Sequence, residues 1–240
     1  MTDEELAGAL AEQAGLLLLQ ARRGGLFSGK SLGDMGDAVA HQFLIKALAE
    51  HRPDDAVLSE EGARDGERLG HDRVWIIDPL DGTREYSEVR SDWAVHVALA
   101  IRGEAVVGAV AQPDSNQLYV SGSVEAGTPV GPLKIVVSRT RPPAQAQAAA
   151  RILGAELVGM GSAGAKTMAV VRGDAHAYVH AGGQYEWDSA APVAVARSAG
   201  LFVSRLDGSP LVYNRPDVYL PDLIVCRPEL SDRLLKAVEA

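Results

Sequence analysis

Apolar positions in the first part of the chain follow a helical rhythm. Between residues 5 and 22, Leu6, Leu10, Ala14, Leu17 and Leu18 recur on one face of a helix, and Gly24-Gly25 predicts its end. A second helix is predicted from about Asp37, where Val39, Phe43, Leu44 and Leu48 keep that period until Pro53. The rhythm then changes. Residues 56–58, 74–77, 93–101 and 105–111 are short apolar runs rich in β-branched side chains, the pattern of strands. Residues 125–132 are rich in Gly and Pro and read as a hinge between an N-terminal lobe, 1–128, and a C-terminal one, 129–240. Beyond the hinge, strands are expected at 133–137, 175–180, 201–204 and 223–226. Helices are expected at 144–153, 166–171, 188–199 and 231–238. Strands interleaved with helices predict a layered α/β architecture.

Composition narrows the function. The chain has 240 residues, 47 % of them hydrophobic and 23 % charged, which is ordinary for a globular protein with a full-sized core. Acidic residues outnumber basic ones 32 to 23, for a net charge of -9. This argues against a nucleic-acid surface, which needs clustered Lys and Arg. A small anionic substrate remains open, because bound cations invert local charge. The one cysteine, Cys226, makes an intrachain disulfide impossible and reads as a small buried hydrophobe. Asp3, Glu4 and Glu5 carry the wrong sign for a secretory signal, and the apolar run 16–19 is far too short to span a bilayer. A cytoplasmic protein without membrane or nucleic-acid partners is expected.

Candidate chemistry centres on Val74-Trp75-Ile76-Ile77-Asp78-Pro79-Leu80-Asp81-Gly82-Thr83. A buried strand runs into a turn in which Pro79 restricts Asp78 and Gly82 lets the chain close tightly. Two carboxylates three residues apart then converge at the strand's end. Hard divalent cations take oxygen ligands, and the Leu80 carbonyl offers another. A bare Asp-Gly pair would read as a turn capped by Asp81; the longer string after an apolar strand is far more specific. Upstream, Ser59-Glu60-Glu61-Gly62 follows the 56–58 strand. In isolation it is a solvated loop, and beside Asp78 it supplies a further candidate ligand. Downstream, Glu186-Trp187-Asp188-Ser189-Ala190-Ala191-Pro192 places Asp188 as a helix N-cap, a position from which a carboxylate can also face a metal. The six histidines make no metal-ligand spacing. His96 reads as a core residue or one beside the site, and His176 and His180, on one face of a strand, as structural.

Together these three strings resemble the inositol monophosphatase superfamily of metal-dependent, lithium-sensitive phosphatases, from about Asp3 to Glu239. Within it the chain resembles the 3′(2′),5′-bisphosphate nucleotidase branch, on Leu58-Ser59-Glu60-Glu61, Val136-Val137-Ser138-Arg139 and Gly161-Ser162-Ala163-Gly164-Ala165-Lys166. The resemblance implies an αβαβα sandwich of the sugar-phosphatase type and removal of the 3′-phosphate of 3′-phosphoadenosine 5′-phosphate in sulfate assimilation. It also implies two or three Mg²⁺ ions: Glu60, Asp78 and the Leu80 carbonyl for the first, Asp78, Asp81 and Asp188 for a second, Glu60 and water for a third. Asp37 and Thr83, with Glu60, would act on the attacking water. Gly82 and Thr83 would cradle the cleaved phosphate. Ser138, Arg139, Ser162, Lys166 and Asp188 would contact the substrate. Arg139 and Lys166 read equally well as solvated surface.

Two departures matter. Many relatives carry threonine where this chain has Asp34, and inositol phosphatases carry a glutamate for ring hydroxyls where this chain has Ala181. Inositol phosphate and fructose 1,6-bisphosphate remain rival substrates. A silent nucleotide- or metal-binding regulator is the rival of another class, and a homodimer is compatible with the sequence.

Overall fold

The computed structural model describes residues 1–62 and 66–240. Helix α1 (Asp3–Arg23) opens on a reciprocal cap: Thr2 Oγ1 accepts the Glu5 amide and the Glu5 carboxylate accepts the Thr2 amide. Its stripe of Leu6, Leu10, Ala14 and Leu18 is buried as expected, whereas Leu17 points outward. Helix α2 (Gly29–His51) starts well before the expected Asp37. Its early turns hold Gly29, Gly33 and Gly36, poor helix formers that hide the signal. Packing explains the last two: a Cβ on Gly33 would meet Ser87 Oγ at 2.6 Å, and one on Gly36 would meet the Tyr86 ring at 3.0 Å.

Strands β1 (Ala56–Ser59) and β2 (Arg73–Asp81) are followed by the short helix α3 (Thr83–Ser87). Then come β3 (Ala94–Ile101), β4 (Glu104–Gln112) and β5 (Gln117–Val120), giving one sheet of order β1-β2-β3-β4-β5. Only β1 and β2 in it run parallel. Residues 125–132 lead on, tied by the Gly127 amide to the Val171 carbonyl at 2.8 Å. The second half contributes β6 (Lys134–Ser138), α4 (Ala144–Leu153), β7 (Glu156–Met160), α5 (Ala163–Arg172) and β8 (Ala177–Tyr185). It ends with α6 (Glu186–Ser198), β9 (Phe202–Ser204), β10 (Tyr219–Cys226) and α7 (Ser231–Val238). Its sheet has the order β7-β6-β8-β10-β9.

Alternation along the strands builds the layers. Trp75, Ile77, Val95, Val97 and Leu99 pack under α1 and α2. Their neighbours Val74, Ile76, Ala94 and Ala98 face the other way, into one core with α5, α6 and Val136, Tyr178 and Leu223 of the second sheet. Ile135, Val137, Ala177 and Val179 pack outward against α4 and α7. The result is helix, sheet, helix, sheet, helix, as expected. Gly108, which has no Cβ, lets helix α6 lie close on β4; a Cβ there would overlap the Ala191 carbonyl. Cys226 is buried, which pushes its thiol up to about 12. Among the described residues, no helix is long and apolar enough to cross a membrane.

Candidate active site

β2 does not end by fraying; it bulges. Three residue steps on β2, Asp78 to Asp81, oppose two on β3, His96 to Ala94. Pro79, which has no N–H to give a ladder, fits that irregularity. The Leu80 amide donates to Asp78 Oδ1 at 3.1 Å, and Gly82 follows with φ of 90°, where a Cβ would meet Ser162 Cβ at 3.1 Å. The bulge and turn hold both carboxylates of the motif at one point.

Asp188 joins them from α6. It is the third residue of that helix rather than its N-cap, because the helix already begins at Glu186; its Oδ2 accepts the Tyr185 amide at 2.7 Å. Carboxylate oxygens of Asp78, Asp81 and Asp188 lie within 4.8 Å of one another. Glu60 arrives by register: β1 pairs parallel with β2, Ser59 beside Ile77, so the next residue stands beside Asp78. Glu60 stands at the mouth, with part of its surface in solvent and its carboxyl turned inward to a hydrogen bond with Asp78.

Like charges this close resist ionisation. Burial and the neighbouring carboxylates raise Asp78 well above the usual range, and raise Glu60 and Asp188 to about 7. Asp81 is the exception. Burial works against its charge, but His96, Lys166 and the Gly164 amide together hold it low. His96, fully buried on β3, has Nε2 3.1 Å from Asp81 Oδ2 and Nδ1 3.2 Å from the Trp187 carbonyl, so it ties the two acidic motifs together. An acidic, all-oxygen set crowded beyond its own charge tolerance fits a hard divalent cation.

Asp37 projects from α2 toward the same place. Thr83 Oγ1 is 3.4 Å from Asp37 Oδ1 and 3.1 Å from the Leu80 carbonyl. Burial and the Glu61 charge raise Asp37 to about 7. Asp34 is exposed and held by Lys30 at 2.6 Å.

The facing wall comes from β6, α5 and β8. It encloses a cavity of about 140 Å³ that Gly82, Ser138, Ser162, Lys166 and Asp188 help line. The backbone of 161–165 is already committed: Gly161 N donates to Asp92 and Ala163 N and Gly164 N to Asp81, while Ala165 N donates to Ser162 Oγ. This stretch therefore offers the cavity side chains rather than free amides. Lys166 is buried, which excludes the solvated-surface reading; its Nζ donates to the Gly161 and Ser162 carbonyls and sits 5.3 Å over the Tyr178 ring. Burial lowers it to about 8. Arg139 turns away to ion pairs with Glu85 at 2.8 Å and Glu88 at 3.0 Å. Arg141, Tyr178, His180 and Gln184 line the cavity instead, and the sequence reading missed them in that role. Two polar side chains in the apolar run of β8 were the available signal.

The chain matches the profile described as "Inositol monophosphatase family" over residues 5–240. It is 50 % identical to the 3'-phosphoadenosine 5'-phosphate phosphatase of Mycobacterium leprae, over 99 % of this chain and 94 % of that protein. The chain belongs to the inositol monophosphatase family. Within the same family, it is 30 % identical to the 3'(2'),5'-bisphosphate nucleotidase CysQ of Escherichia coli over 77 % of this chain and 80 % of that one. The crystal structure of CysQ from Bacteroides thetaiotaomicron superposes with a TM-score of 0.84 at 27 % identity, covering 94 % of this chain and 97 % of the other. The resemblance read from the motifs is borne out, the nucleotidase branch included. The family is metal-dependent, and the three aspartates are where this chain can hold a metal.

Proposed function

We propose that this chain is a Mg²⁺-dependent, cytoplasmic 3′(2′),5′-bisphosphate nucleotidase. It converts 3′-phosphoadenosine 5′-phosphate and water to 5′-AMP and phosphate, and acts in the same way on the corresponding 5′-phosphosulfate. The observation that carries this reading is the joining of two walls: Asp78, Asp81 and Asp188 converge at one end of a cavity whose other side presents Ser138, Arg141 and Lys166. A substrate with two separated anionic groups suits both ends. The substrate named for the relative at 50 % identity is such a molecule.

In this reading Glu60, Asp78 and the Leu80 carbonyl would hold one Mg²⁺, and Asp78, Asp81 and Asp188 a second; bound there, the metal would supply charge neutralisation for the phosphoryl oxygens and a more acidic water. Thr83 Oγ1 orients the attacking water, and Asp37 Oδ1, 3.4 Å from it, takes the proton. A carboxylate raised to about 7 is matched to proton transfer near neutral pH. The water oxygen bonds to phosphorus as the P–O3′ bond breaks, and the leaving 3′-oxygen takes a proton from solvent water to become a hydroxyl, balancing the proton that Asp37 receives. Gly82 and Thr83 cradle the cleaved phosphate, while Ser138, Ser162, Lys166 and Arg141 hold the one that stays. Arg139 acts at one remove by fixing Glu85. The test is phosphate release from the bisphosphate after chelation and again with Mg²⁺ restored. Release only with Mg²⁺ is expected; equal release after chelation would overturn the reading.

A further inference from the structure

Two buried charged side chains lie outside the chemistry described above. Glu186, 1 % exposed, opens α6, and Arg68, 7 % exposed, sits in the turn Gly66–Gly70 between β1 and β2. Charged groups are seldom buried this far unless they are paired.

Both oxygens of Glu186 go to one loop. Oε2 accepts the Asn214 amide at 2.7 Å and Oε1 the Arg215 amide at 2.8 Å, while the Glu186 amide donates to the Val218 carbonyl at 2.9 Å. Arg68 holds the same loop from the other side. Its Nη1 donates to Asn214 Oδ1 at 2.6 Å and its Nη2 to the Arg215 carbonyl at 2.8 Å, and Asn214 Nδ2 returns a bond to the Arg68 carbonyl at 3.1 Å. Asn214 does this from the left-handed region, with φ of 56°, which Asn adopts more readily than most residues. A chain of hydrogen bonds thus runs from the β1–β2 connection, through a loop of the second half, into the first turn of α6.

That turn needs the hold. The strand feeding it, β8, passes through a bulge at Gly182 and Gly183, where Ala181 to Gln184 spans three steps against two on β10, Asp222 to Leu220. Two glycines leave the entry to α6 loosely fixed. Asp188 takes its orientation from the Tyr185 amide, on the residue next to Glu186. A buried ionic network is a weak source of stability, and its best-attested use is to fix one register. Resting on the metal-dependent reading of the site, we propose that Glu186, Asn214 and Arg68 are positioning residues. They set Asp188, carried by the second half, against Asp78 and Asp81, carried by the first, so that the three aspartates can share a divalent cation.

The test is Mg²⁺ binding to the full chain, measured by titration calorimetry without substrate, beside the melting temperature in chelator. Asn214→Gly is the primary variant. Glycine accepts the left-handed backbone and keeps the amide that Glu186 holds, so only the side-chain link to Arg68 is cut. Glu186→Gln and Arg68→Met cut the network at either end. Each variant should weaken Mg²⁺ binding roughly 10–100-fold, the usual loss for partners that orient a metal ligand. Arg68→Lys, which keeps the charge without the fork, should fall between wild type and Arg68→Met. In an Asp188→Asn background, Asn214→Gly should cost nothing further, because its effect passes through Asp188. Variants that melt lower yet bind Mg²⁺ as wild type does would overturn the proposal, since a purely structural network behaves that way. An equal loss from Asn214→Gly with Asp188 present or replaced would overturn it too. Should Glu186→Gln or Arg68→Met fail to fold, Asn214→Gly decides. Wild type binding no Mg²⁺ would instead sink the metal-dependent reading, and the clamp with it.

Discussion

The two walls of the cleft are both buried and both polar, yet burial acts on them in opposite directions. On the β2 side, burial and like charges drive Asp78 well above the usual carboxylate range and its neighbours Glu60 and Asp188 up to about 7. On the α5–β8 side, Lys166 and His180 are driven down, to about 8 and about 4. One desolvation penalty, applied to acids and to bases, works against negative charge on one wall and against positive charge on the other. Asp81 joins the walls. It belongs to the acidic motif, but its charge is kept by His96 and by amides at the start of α5.

The sharpest way to break this contrast is to remove the central acid. Asp78→Asn should cut kcat by a hundredfold or more, since even the outer partners of a metal site cost roughly 10–100-fold. The same change should raise the melting temperature of the metal-free protein by relieving repulsion. Near-normal turnover at saturating Mg²⁺ would remove Asp78 from the site.

Next in size is the response of the metal-free protein to pH. Asp37, Glu60 and Asp188 rise from ordinary values of 3.8, 4.5 and 3.8 to about 7 on folding. A raised carboxylate favours the folded state fully below its unfolded value and loses that contribution as pH rises through the folded one. Stability without metal should therefore fall between about pH 4 and pH 8, and Mg²⁺ should restore it at the alkaline end. A melting temperature flat across that window contradicts the acidic wall.

On the other wall, Lys166→Met should raise KM roughly tenfold with a much smaller change in kcat, because the group it serves keeps its charge in the transition state. Wild-type KM should likewise climb above about pH 8, as Lys166 loses its proton. A fall in kcat alone would place Lys166 in the chemistry instead. The joint gives the smallest effect. A Cβ at Gly164 would overlap His96 Nε2, so Gly164→Ala should cost about 1–3 kcal/mol of stability. Thermal denaturation checks it.

The contrast also separates what could be read in the sequence from what could not. The β2 motif was legible because its residues are contiguous and its bulge is built from Pro79 and Gly82. Helices α4 and α7 were found at their observed bounds, where the pattern is strong. α2 was found late because its first turns are held by close contact with α3 rather than by propensity. β5 and β7 are half-exposed edge strands without a clear alternation, and α3 is too short to show a period. The second wall was the least legible. Burial of Lys166 depends on what lies over α5, and the strand expected at 175–180 stops short of the glycine pair Gly182-Gly183. In the fold those glycines are a bulge, and the strand goes on to deliver Gln184.

The most direct test of the whole account is a comparison of kcat/KM, with Mg²⁺, for adenosine 3′,5′-bisphosphate, inositol 1-phosphate and fructose 1,6-bisphosphate. A cation-holding wall facing one that holds a second anionic group predicts that the bisphosphorylated nucleotide is preferred, with 5′-AMP as the product. A higher kcat/KM for either of the other two would contradict it.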